Sequence, residues 1–377
     1  MKRQLPVSLL PATLAVLLAP FVWTACFGAD IESAPIQTDV FVSGTEGYHT
    51  YRIPAIVLST KGTLLAFCEG RKTSSSDAGD IDLVLRRSSD GGKTWGKMQV
   101  VHEEGGTAKT TIGNPCPVVD RESGTIWLPF CRNNGRVFIT KSTDDGQTWT
   151  PPVELTNDVK RPDWDWYATG PGHGIQLRSG RLLIPCDHTV RGLSGGEKTA
   201  GHSHVFYSDD HGATWKLGGA TDRGMNECEA VELADGSILL SIRQYSGPKL
   251  RAFATSRDGG LSWSKPVLNP QVHCPVCQSS IQRFSLPPAG AGIILYSGPG
   301  GPGRTNMTVR LSRDEGKTWP VAKVIHAGPA AYSDLVTLPD GMIGCLYERG
   351  QRGAYEKITF ARFSAGWLTQ DDDPGGK

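Results

Sequence analysis

Three arginines occupy positions where a charged side chain is difficult to place. Arg52 lies in an apolar strand pattern just before a proline, and Arg243 ends the predicted strand 237–242 in a similar way. Arg304 precedes the strand pattern 307–311. Each of them alone is more often a surface residue. Together, three guanidinium groups could hold a carboxylate through paired hydrogen bonds, which favours an acidic ligand.

Cysteine and histidine give little support for a metal centre. Cys274 and Cys277 form one C-x-x-C sequence beside His273, and zinc would need two further ligands that the sequence does not place. His202 and His204 form a single H-x-H, which we interpret as turn or surface residues. The sequence therefore predicts neither a metal ion nor another cofactor.

A repeated octet supplies the framework that would position the arginines. The pattern Ser-x-Asp-x-Gly-x-Thr-Trp occurs five times, with Ser262 in place of threonine in the fourth copy, at 88–95, 142–149, 208–215, 256–263 and 312–319. The aspartate can accept hydrogen bonds from backbone N–H groups ahead of it, and the glycine permits a positive φ. The tryptophan returns the chain to an apolar layer. We interpret each octet as a hairpin turn without a catalytic role.

The spacing of the octets predicts the fold class. Successive aspartates lie 54, 66, 48 and 56 residues apart, a mean of 56. This step fits one four-stranded sheet with its turns, and six such steps would need about 336 residues. The sequence therefore predicts an all-β fold, a six-bladed β-propeller of four-stranded antiparallel sheets. In such a fold, loops from every blade meet around the axis and can assemble one pocket.

The N-terminus has the features of a secretory signal. Lys2 and Arg3 precede an apolar run over 9–22, and a segment of small residues follows. This composition predicts export, to give a secreted or periplasmic protein. Lipoprotein anchoring through Cys26 is the alternative, although Trp23 stands where such signals have leucine.

The expected domain order is a signal peptide over residues 1–29, one propeller domain over 30–370 and a flexible tail over 371–377. Loss of the signal would change the formal net charge from +1 to about −1, which favours neither nucleic acid nor an anionic membrane as a partner. We expect a monomer with no stable membrane insertion after cleavage. Eight cysteines would remain, and they permit disulfides that a core of this size does not require.

Several segments resemble motifs of the sialidases, in the same order along the chain. The octet resembles the Asp-box of that family, and Tyr51-Arg52-Ile53-Pro54 resembles its Arg-Ile-Pro signature. The resemblance covers about residues 36–368. It extends to the segments 67–90, 226–228, 331–335 and 346–348, and the residues that match the family's functional positions are Arg52, Arg71, Asp77, Glu227, Arg243, Arg304, Tyr332 and Glu348.

The resemblance implies a retaining exo-α-sialidase that hydrolyses terminal α-linked sialic acids from glycoproteins, glycolipids or oligosaccharides. Arg52, Arg243 and Arg304 would hold the carboxylate of the sugar. Glu348 would steady the first of these arginines, and Arg71 would reach the sugar's hydroxyl groups. The implied partners are therefore sialylated glycoconjugates.

The implied mechanism uses Tyr332 as nucleophile, Glu227 as its base, and Asp77 as acid and base. A sialic acid carries its carboxylate on the anomeric carbon, so an ionised Asp or Glu nucleophile would be repelled, whereas tyrosine is neutral until a base removes its proton. Free tyrosine has a pKa near 10, so Tyr332 would need Glu227 close by. Asp77 would protonate the leaving oxygen and then activate water, through a covalent tyrosyl intermediate.

Neighbouring residues compete for these roles: Asp80 and Asp82 for the acid, Glu229 and Glu232 for the base, and Arg310 for the third arginine. Asp82 begins an apolar strand, which favours a structural role. Glu229 lies on the same strand face as the predicted base. Arg310 would lie on the outer face of its strand, and the aromatic-acidic run 163–167 would either line the pocket rim or pack in the core.

Other functions are compatible with the same residues. A trans-sialidase shares the catalytic set and differs in how its acceptor site excludes water. A catalytically silent sialic-acid-binding propeller would require only the arginines. A propeller glycosidase for neutral sugars would leave the three arginines without a partner.

Overall fold

The described strands belong to one compact unit of the chain, Ser33–Lys377. Besides Met1, the computed structural model describes residues 34–106, 109–193, 200–286 and 292–370. The predicted signal peptide, with Cys26, and the predicted tail lie outside the described residues. Within the described part of the chain, no helix has the length and apolar character needed to cross a membrane.

Antiparallel strands form most of the described chain. In chain order they are β1 (Ile36–Val42), β2 (Thr50–Leu58), β3 (Leu64–Arg71), β4 (Ile81–Ser88), β5 (Gln99–His102), β6 (Ile112–Gly113), β7 (Val118–Val119), β8 (Ile126–Arg132), β9 (Arg136–Ser142), β10 (Val153–Glu154), β11 (Trp164–Thr169), β12 (Ile175–Gln176), β13 (Leu182–Val190), β14 (Gly201–Ser208), β15 (Lys216–Ala220), β16 (Met225–Glu232), β17 (Ile238–Gln244), β18 (Leu250–Ser256), β19 (Val267–His273), β20 (Ser280–Ser285), β21 (Ile293–Pro299), β22 (Thr305–Ser312), β23 (Val321–Thr337), β24 (Met342–Arg349) and β25 (Lys357–Ser364). The described helices are short: α1 (Thr156–Val159) and α2 (Ala365–Thr369).

Hydrogen bonds join the described strands into five sheets. Four of them follow the chain order: β2–β5, β6–β10, β11–β15 and β16–β19. The fifth has seven strands in the order β1-β25-β24-β23-β22-β21-β20. Its 17-residue strand β23 pairs with β22 through its first part and with β24 through its second part. This sheet therefore consists of two four-stranded groups that share β23.

Successive sheets contact one another around a ring. Contacts join β4 to β6, β7 to β12, β13 to β16, β16 to β20, and β23 back to β2. Apolar side chains fill the spaces between neighbouring sheets; in one cluster, Leu65 and Leu83 of the first sheet pack with Ile112 and Phe130 of the second. The predicted all-β propeller of antiparallel sheets is confirmed.

The octets form the predicted hairpin turns, each of which joins the third strand of a group to its outer strand. In the first copy, Asp90 accepts hydrogen bonds from the backbone N–H of Thr94 at 3.0 Å and from its hydroxyl at 2.6 Å. These bonds lower the pKa of Asp90 to about 2. Gly92 has φ +84°, and a Cβ there would lie 2.1 Å from the ring of Phe360, so the turn requires glycine.

Strand β1 closes the ring as the outer strand of the last group. It pairs with β25, from Ile36 opposite Arg362 to Val42 opposite Lys357. Phe41 is buried, and its ring centroid lies 5.2 Å from that of Tyr51 on β2. Because the N-terminal strand takes this outer place, the last group needs no hairpin octet.

Two interpretations of cysteine and histidine change with the structure. The eight cysteines of the described residues are buried free thiols, so packing holds them without the disulfides that the sequence permits. The interpretation of His202 and His204 as turn or surface residues is wrong. Both lie on β14, and the fully buried His204 places its Nδ1 3.0 Å from Nδ1 of His188, because the H-x-H alternation belongs to a strand packed against Trp164.

Candidate active site

The predicted site residues come from three sheets, and their side chains lie together. Arg52 lies on β2, Glu227 on β16, Arg243 on β17 and Tyr332 on β23, while Arg304 immediately precedes β22. Each of these side chains contacts at least one other member of the set. The ring of sheets thus brings together residues up to 280 positions apart in sequence.

Arg52 is held by a buried carboxylate. Its Nε donates to Glu348 Oε1 at 3.0 Å, and its Nη2 donates to Glu348 Oε2 at 3.3 Å. Burial opposes the charge, but Glu348, Tyr332 and Tyr355 raise the pKa of Arg52 above its ordinary value. Ile53 has φ +60°, a conformation rare for a β-branched residue, and its N–H donates to the same carboxylate at 2.9 Å. Glu348 therefore fixes both the guanidinium and the backbone turn beside it.

Arg243 is held by an amide and lies against the tyrosine. Its Nε donates to Asn226 Oδ1 at 2.6 Å, and Asn226 Nδ2 donates to Asp187 at 2.9 Å. Its Nη1 lies 3.0 Å from Tyr332 Oη and 2.9 Å from Glu227 Oε2. Burial opposes the charge of Arg243, and Glu227 raises its pKa well above the ordinary value.

Arg304 completes the trio, with a phenol as its partner. Its Nη1 donates to Tyr355 Oη at 2.6 Å, its Nη2 donates to the carbonyl of Val276 at 3.3 Å, and its guanidinium lies 5.4 Å from the ring centroid of Tyr332. The ring of Tyr355 also lies 4.0 Å from the Arg52 guanidinium. Arg310, the rival for this place, lies farther along β22, opposite Tyr296.

Tyr332 and Glu227 form a short hydrogen-bonded pair between the arginines. Tyr332 Oη donates to Glu227 Oε1 at 2.5 Å, and the backbone N–H of Tyr332 donates to Glu348 at 3.1 Å. Burial raises the pKa of Tyr332 well above its usual value; Arg243 opposes that rise, and Glu227 adds to it. The phenol therefore keeps its proton in the free protein, directed at a carboxylate that can accept it.

Asp77 lies on the exposed side of the same site. Its side chain is 72% exposed, and its Oδ1 lies 2.7 Å from Arg71 Nη1 and 3.3 Å from Arg52 Nη1. Arg71 Nη2 also lies 2.6 Å from Glu69 Oε2, so Glu69 orients the guanidinium. Burial raises the pKa of Asp77, but Arg71 and Arg52 outweigh it and leave the pKa below its ordinary value. An acid role would require the bound ligand to reverse this direction.

A cavity of about 600 Å³ opens beside Asp77. It is lined by Ser76, Asp77, Ala78, Gly79, Lys109, Thr111, Asn133, Asn134 and Trp166. Six of its nine lining residues carry polar side chains, and Trp166 provides an aromatic face. Of the run 163–167, Trp164 and Tyr167 are instead buried in the core, so this segment contributes to both the rim and the packing.

The rival residues lie elsewhere. Asp82 is buried and accepts a hydrogen bond from the hydroxyl of Tyr48 at 2.6 Å, which confirms its structural role. Asp80 Oδ1 lies 3.2 Å from Lys72 Nζ. Glu229 lies one pleat below Glu227, among a second set of buried polar groups. The geometry thus favours Asp77 and Glu227 over their neighbours.

Two residues that hold the arginines were not assigned from the sequence. Tyr355 follows β24 in a loop without a recognisable motif, and nothing in its surroundings indicated that it would reach two guanidinium groups. Asn226 stands directly before Glu227, and the sequence assigned a role to Glu227 but none to Asn226. A buried amide next to a predicted catalytic carboxylate was the available signal.

Comparisons with known proteins find relatives over most of the chain. A family model described as a BNR repeat-like domain matches residues 62–345. The sialidase of Micromonospora viridifaciens is 36% identical over 360 residues, covering 88% of this chain and 54% of that protein. Sialidase-3 of Mus musculus is 33% identical over 398 residues, covering 87% of this chain and 94% of that protein. The chain thus spans about half the length of the first relative and nearly all of the second.

A solved structure shows the same architecture. The Hadza microbial sialidase Hz136 superimposes with a TM-score of 0.80 at 27% sequence identity, and the match covers 88% of this chain and 69% of that one.

Proposed function

The chain belongs to the sialidase family of glycoside hydrolases, and on that premise we propose that it releases terminal α-linked sialic acids from glycoproteins, glycolipids or oligosaccharides with retention of configuration. The observation that carries the proposal is the 2.5 Å hydrogen bond between Tyr332 and Glu227, placed among three arginines. A sialic-acid binder would need the cations, whereas the tyrosine–carboxylate pair supplies a nucleophile with its base.

Binding begins with the carboxylate of the sugar. Arg52, Arg243 and Arg304 present guanidinium groups from three sheets, and each is oriented by its own partner. Preorganised donors of this kind lose little entropy when the anion arrives. The anomeric carbon, which carries that carboxylate, is then placed close to Tyr332 Oη.

The first step forms a bond between Tyr332 Oη and the anomeric carbon. The phenolic proton passes to Glu227 while Asp77 gives a proton to the leaving oxygen, and the glycosidic C–O bond breaks. In the second step, Asp77 removes a proton from water, which attacks the anomeric carbon. The bond to Tyr332 breaks, and Glu227 returns the proton to the phenol. Two inversions at the same carbon give net retention.

Trapping of the intermediate tests the proposal. Purified protein is incubated with a 2,3-difluorinated sialic acid, which slows breakdown of the glycosyl enzyme, and peptide mass spectrometry locates the adduct. We expect the adduct on Tyr332 and none in Tyr332→Phe. An adduct on Glu227 or Asp77, or no adduct at all, would overturn the assignment.

A second measurement distinguishes the alternative functions. With 3′-sialyllactose as substrate, NMR should show free sialic acid released first as the α-anomer. A trans-sialidase would instead transfer the sugar to added lactose in preference to water. A silent binding propeller would bind the sialoside and release nothing.

A further inference from the structure

A second cluster of buried titratable groups lies next to the site, two residues farther along the same strands. His173 Nδ1 lies 2.7 Å from Asp334 Oδ1 and 2.8 Å from Glu229 Oε1. His173 Nε2 lies 3.0 Å from the side-chain oxygen of Gln282. All three titratable side chains are buried, and the mechanism proposed above uses none of them.

The cluster connects several of the inner strands of the propeller. Ser280 on β20 donates to Glu229 at 2.9 Å and lies 3.1 Å from Asp334. The backbone N–H of Ile56 on β2 donates to Asp334 at 2.7 Å. His173 itself comes from the segment between β11 and β12. Four sheets therefore meet at this one point.

The register of two strands relates the cluster to the catalytic pair. Glu229 follows Glu227 by two residues on β16, and Asp334 follows Tyr332 by two residues on β23. Alternate residues of a strand face the same side, so each catalytic side chain lies one pleat above a member of the cluster. The two strands are bridged once by the Tyr332–Glu227 hydrogen bond and once by His173.

We propose that His173, held between Glu229 and Asp334, is a positioning residue that sets the separation of β16 and β23 and thereby the distance between Tyr332 and Glu227. The inference rests on the function proposed above, since it assigns importance to that distance. His173 acts only through the strands and does not contact the substrate.

Chemistry explains why an imidazole suits this place. Two ionised carboxylates in a buried site repel, and burial together with the nearby Asp334 raises the pKa of Glu229 to about 8. An imidazole between the two groups can bridge them through Nδ1. Burial opposes the charge on His173, but Asp334 and Glu229 raise its pKa well above the ordinary value. Glu229 Oε2 has no hydrogen-bond partner among the described residues, so the orientation of this carboxylate depends on His173 and Ser280.

Proton transfer depends strongly on distance, so the bridge through His173 should affect the rate of the reaction. A misplacement of about 1 Å between reacting groups can cost a hundredfold in rate. The arginine trio is held separately, by Glu348, Asn226 and Tyr355. Loss of the bridge should therefore reduce the formation of the tyrosyl intermediate while ligand binding persists.

The test compares His173→Gln and Glu229→Ala with the conservative Glu229→Gln, whose amide oxygen can still accept from Nδ1. Three quantities are measured for each: kcat on an aryl sialoside, the rate of Tyr332 labelling by the fluorinated sugar, and the Kd of an unsaturated sialic acid analogue. We expect a ten- to hundredfold loss in kcat and in labelling for the first two, a loss below threefold for Glu229→Gln, and a Kd within threefold throughout.

A matched control separates positioning from general destabilisation. Asp120 is fully buried and hydrogen-bonded to Gln176, away from the site, so Asp120→Asn should lower the melting temperature and leave kcat unchanged. If His173→Gln does not fold, Glu229→Ala and Glu229→Gln still decide the matter, since equal kcat in the two would overturn the proposal. Equal loss of kcat in Asp120→Asn and the cluster variants would also overturn it.

The same three ligand atoms could hold a divalent ion, and the test includes that case. Chelation with EDTA should leave the kcat of the wild-type protein unchanged. A loss of kcat on chelation that is restored by added Ca²⁺ or Zn²⁺ would show that a metal ion joins these groups, and it would contradict the proposal. If the wild-type protein releases no sialic acid and forms no adduct, the proposed function fails, which is distinct from a failure of the His173 variants alone.

Discussion

The three arginines differ in what holds them, and the difference separates their roles. Arg52 faces the carboxylate of Glu348, and Arg243 lies beside Glu227, so both charges already have an anionic partner. Among the described residues, Arg304 contacts a phenol and a backbone carbonyl, both of which are neutral. Its charge is therefore the least compensated of the three, and it should interact most strongly with the carboxylate of the substrate.

Replacement of this arginine should be costly. Arg304→Lys keeps the charge but loses the planar pair of donors, so kcat/KM should fall by about 2–4 kcal/mol in transition-state binding, or roughly 30- to 1000-fold. Steady-state kinetics on 3′-sialyllactose measure the loss. Arg310→Lys, on β22 just after Arg304, is the control and should stay near the wild type. Near wild-type activity in Arg304→Lys would remove this residue from the anchor.

The pH profile should show how the substrate affects Asp77. In the free protein, Arg71 and Arg52 outweigh burial and hold the pKa of Asp77 low, so its protonated fraction falls as pH rises through that low value. A bound carboxylate would neutralise Arg52 and raise the pKa. The alkaline limb of kcat, which reports the complex, should therefore lie at higher pH than that of kcat/KM, which reports the free protein.

The control for this profile is the leaving group. A substrate with a very acidic leaving group needs little protonation, so Asp77→Asn should spare it more than natural sialosides. Limbs of kcat and kcat/KM that coincide, or equal losses on both substrate types, would count against an acid role for Asp77.

Sequence reasoning located the residues that carry a motif and missed those that act through packing. Tyr332 and Arg52 stand in segments with a recognisable local pattern. His173 and Tyr355 stand in no such pattern. The partners of His173 lie 56 and 161 residues away, and Tyr355 lies in a loop that contacts Arg304 only in the folded ring. Pairing across the axis is not encoded in any short segment, so it could not be predicted without the fold.

At the scale of elements, the octet turns are held by hydrogen bonds within the octet itself. All the bonds of Asp144 that define its turn are made within seven residues: Ser142 donates to it at 2.8 Å, and the hydroxyl of Thr148 does so at 2.5 Å. A pattern this local can be read from the sequence, which is why the turns were predicted. The sharing of β23 by two groups was not, since no octet or turn marks its midpoint.

Substitution of an octet aspartate should reduce stability in a pH-dependent manner. Hydrogen bonds from Thr148 lower the pKa of Asp144 to about 2, against an ordinary value of 3.8. Its contribution is present above pH 4 and is lost as pH falls through 2. Asp144→Asn should therefore cost about 1 kcal/mol of unfolding free energy at pH 7 and much less near pH 2.

Urea denaturation at several pH values measures the difference between Asp144→Asn and the wild type. Asp163, which is exposed in a loop, provides the control, and Asp163→Asn should change stability little at any pH. A deficit in Asp144→Asn that stays constant from pH 7 to 2 would contradict the hydrogen-bonded carboxylate as its cause.

At the scale of the whole molecule, closure depends on the N-terminal strand. Phe41 on β1 is 1% exposed and packs against Tyr51 of β2, whereas Val42 on the same strand as Phe41 is 39% exposed. Phe41→Ala should lower the free energy of unfolding by about 3–5 kcal/mol, because it leaves a cavity at the junction of the first and last strands. Val42→Ala should stay within about 0.5 kcal/mol. If chemical denaturation gives similar losses of unfolding free energy for the two variants, the packing of Phe41 at this junction does not stabilise the ring as proposed.

The pairing of β1 with β25 has a consequence for the order of events during biosynthesis. The first strand made can find its neighbour only after some 320 further residues have followed, so its edge stays unpaired throughout elongation. The hydrogen bond between Arg52 and Glu348, which are 296 positions apart, also crosses this junction between the first and last sheets. Assembly of the pocket therefore coincides with the final closure, and a nascent or truncated chain cannot acquire a working site ahead of its complete ring. In refolding, activity should return with the slowest phase, after most of the sheet signal has recovered.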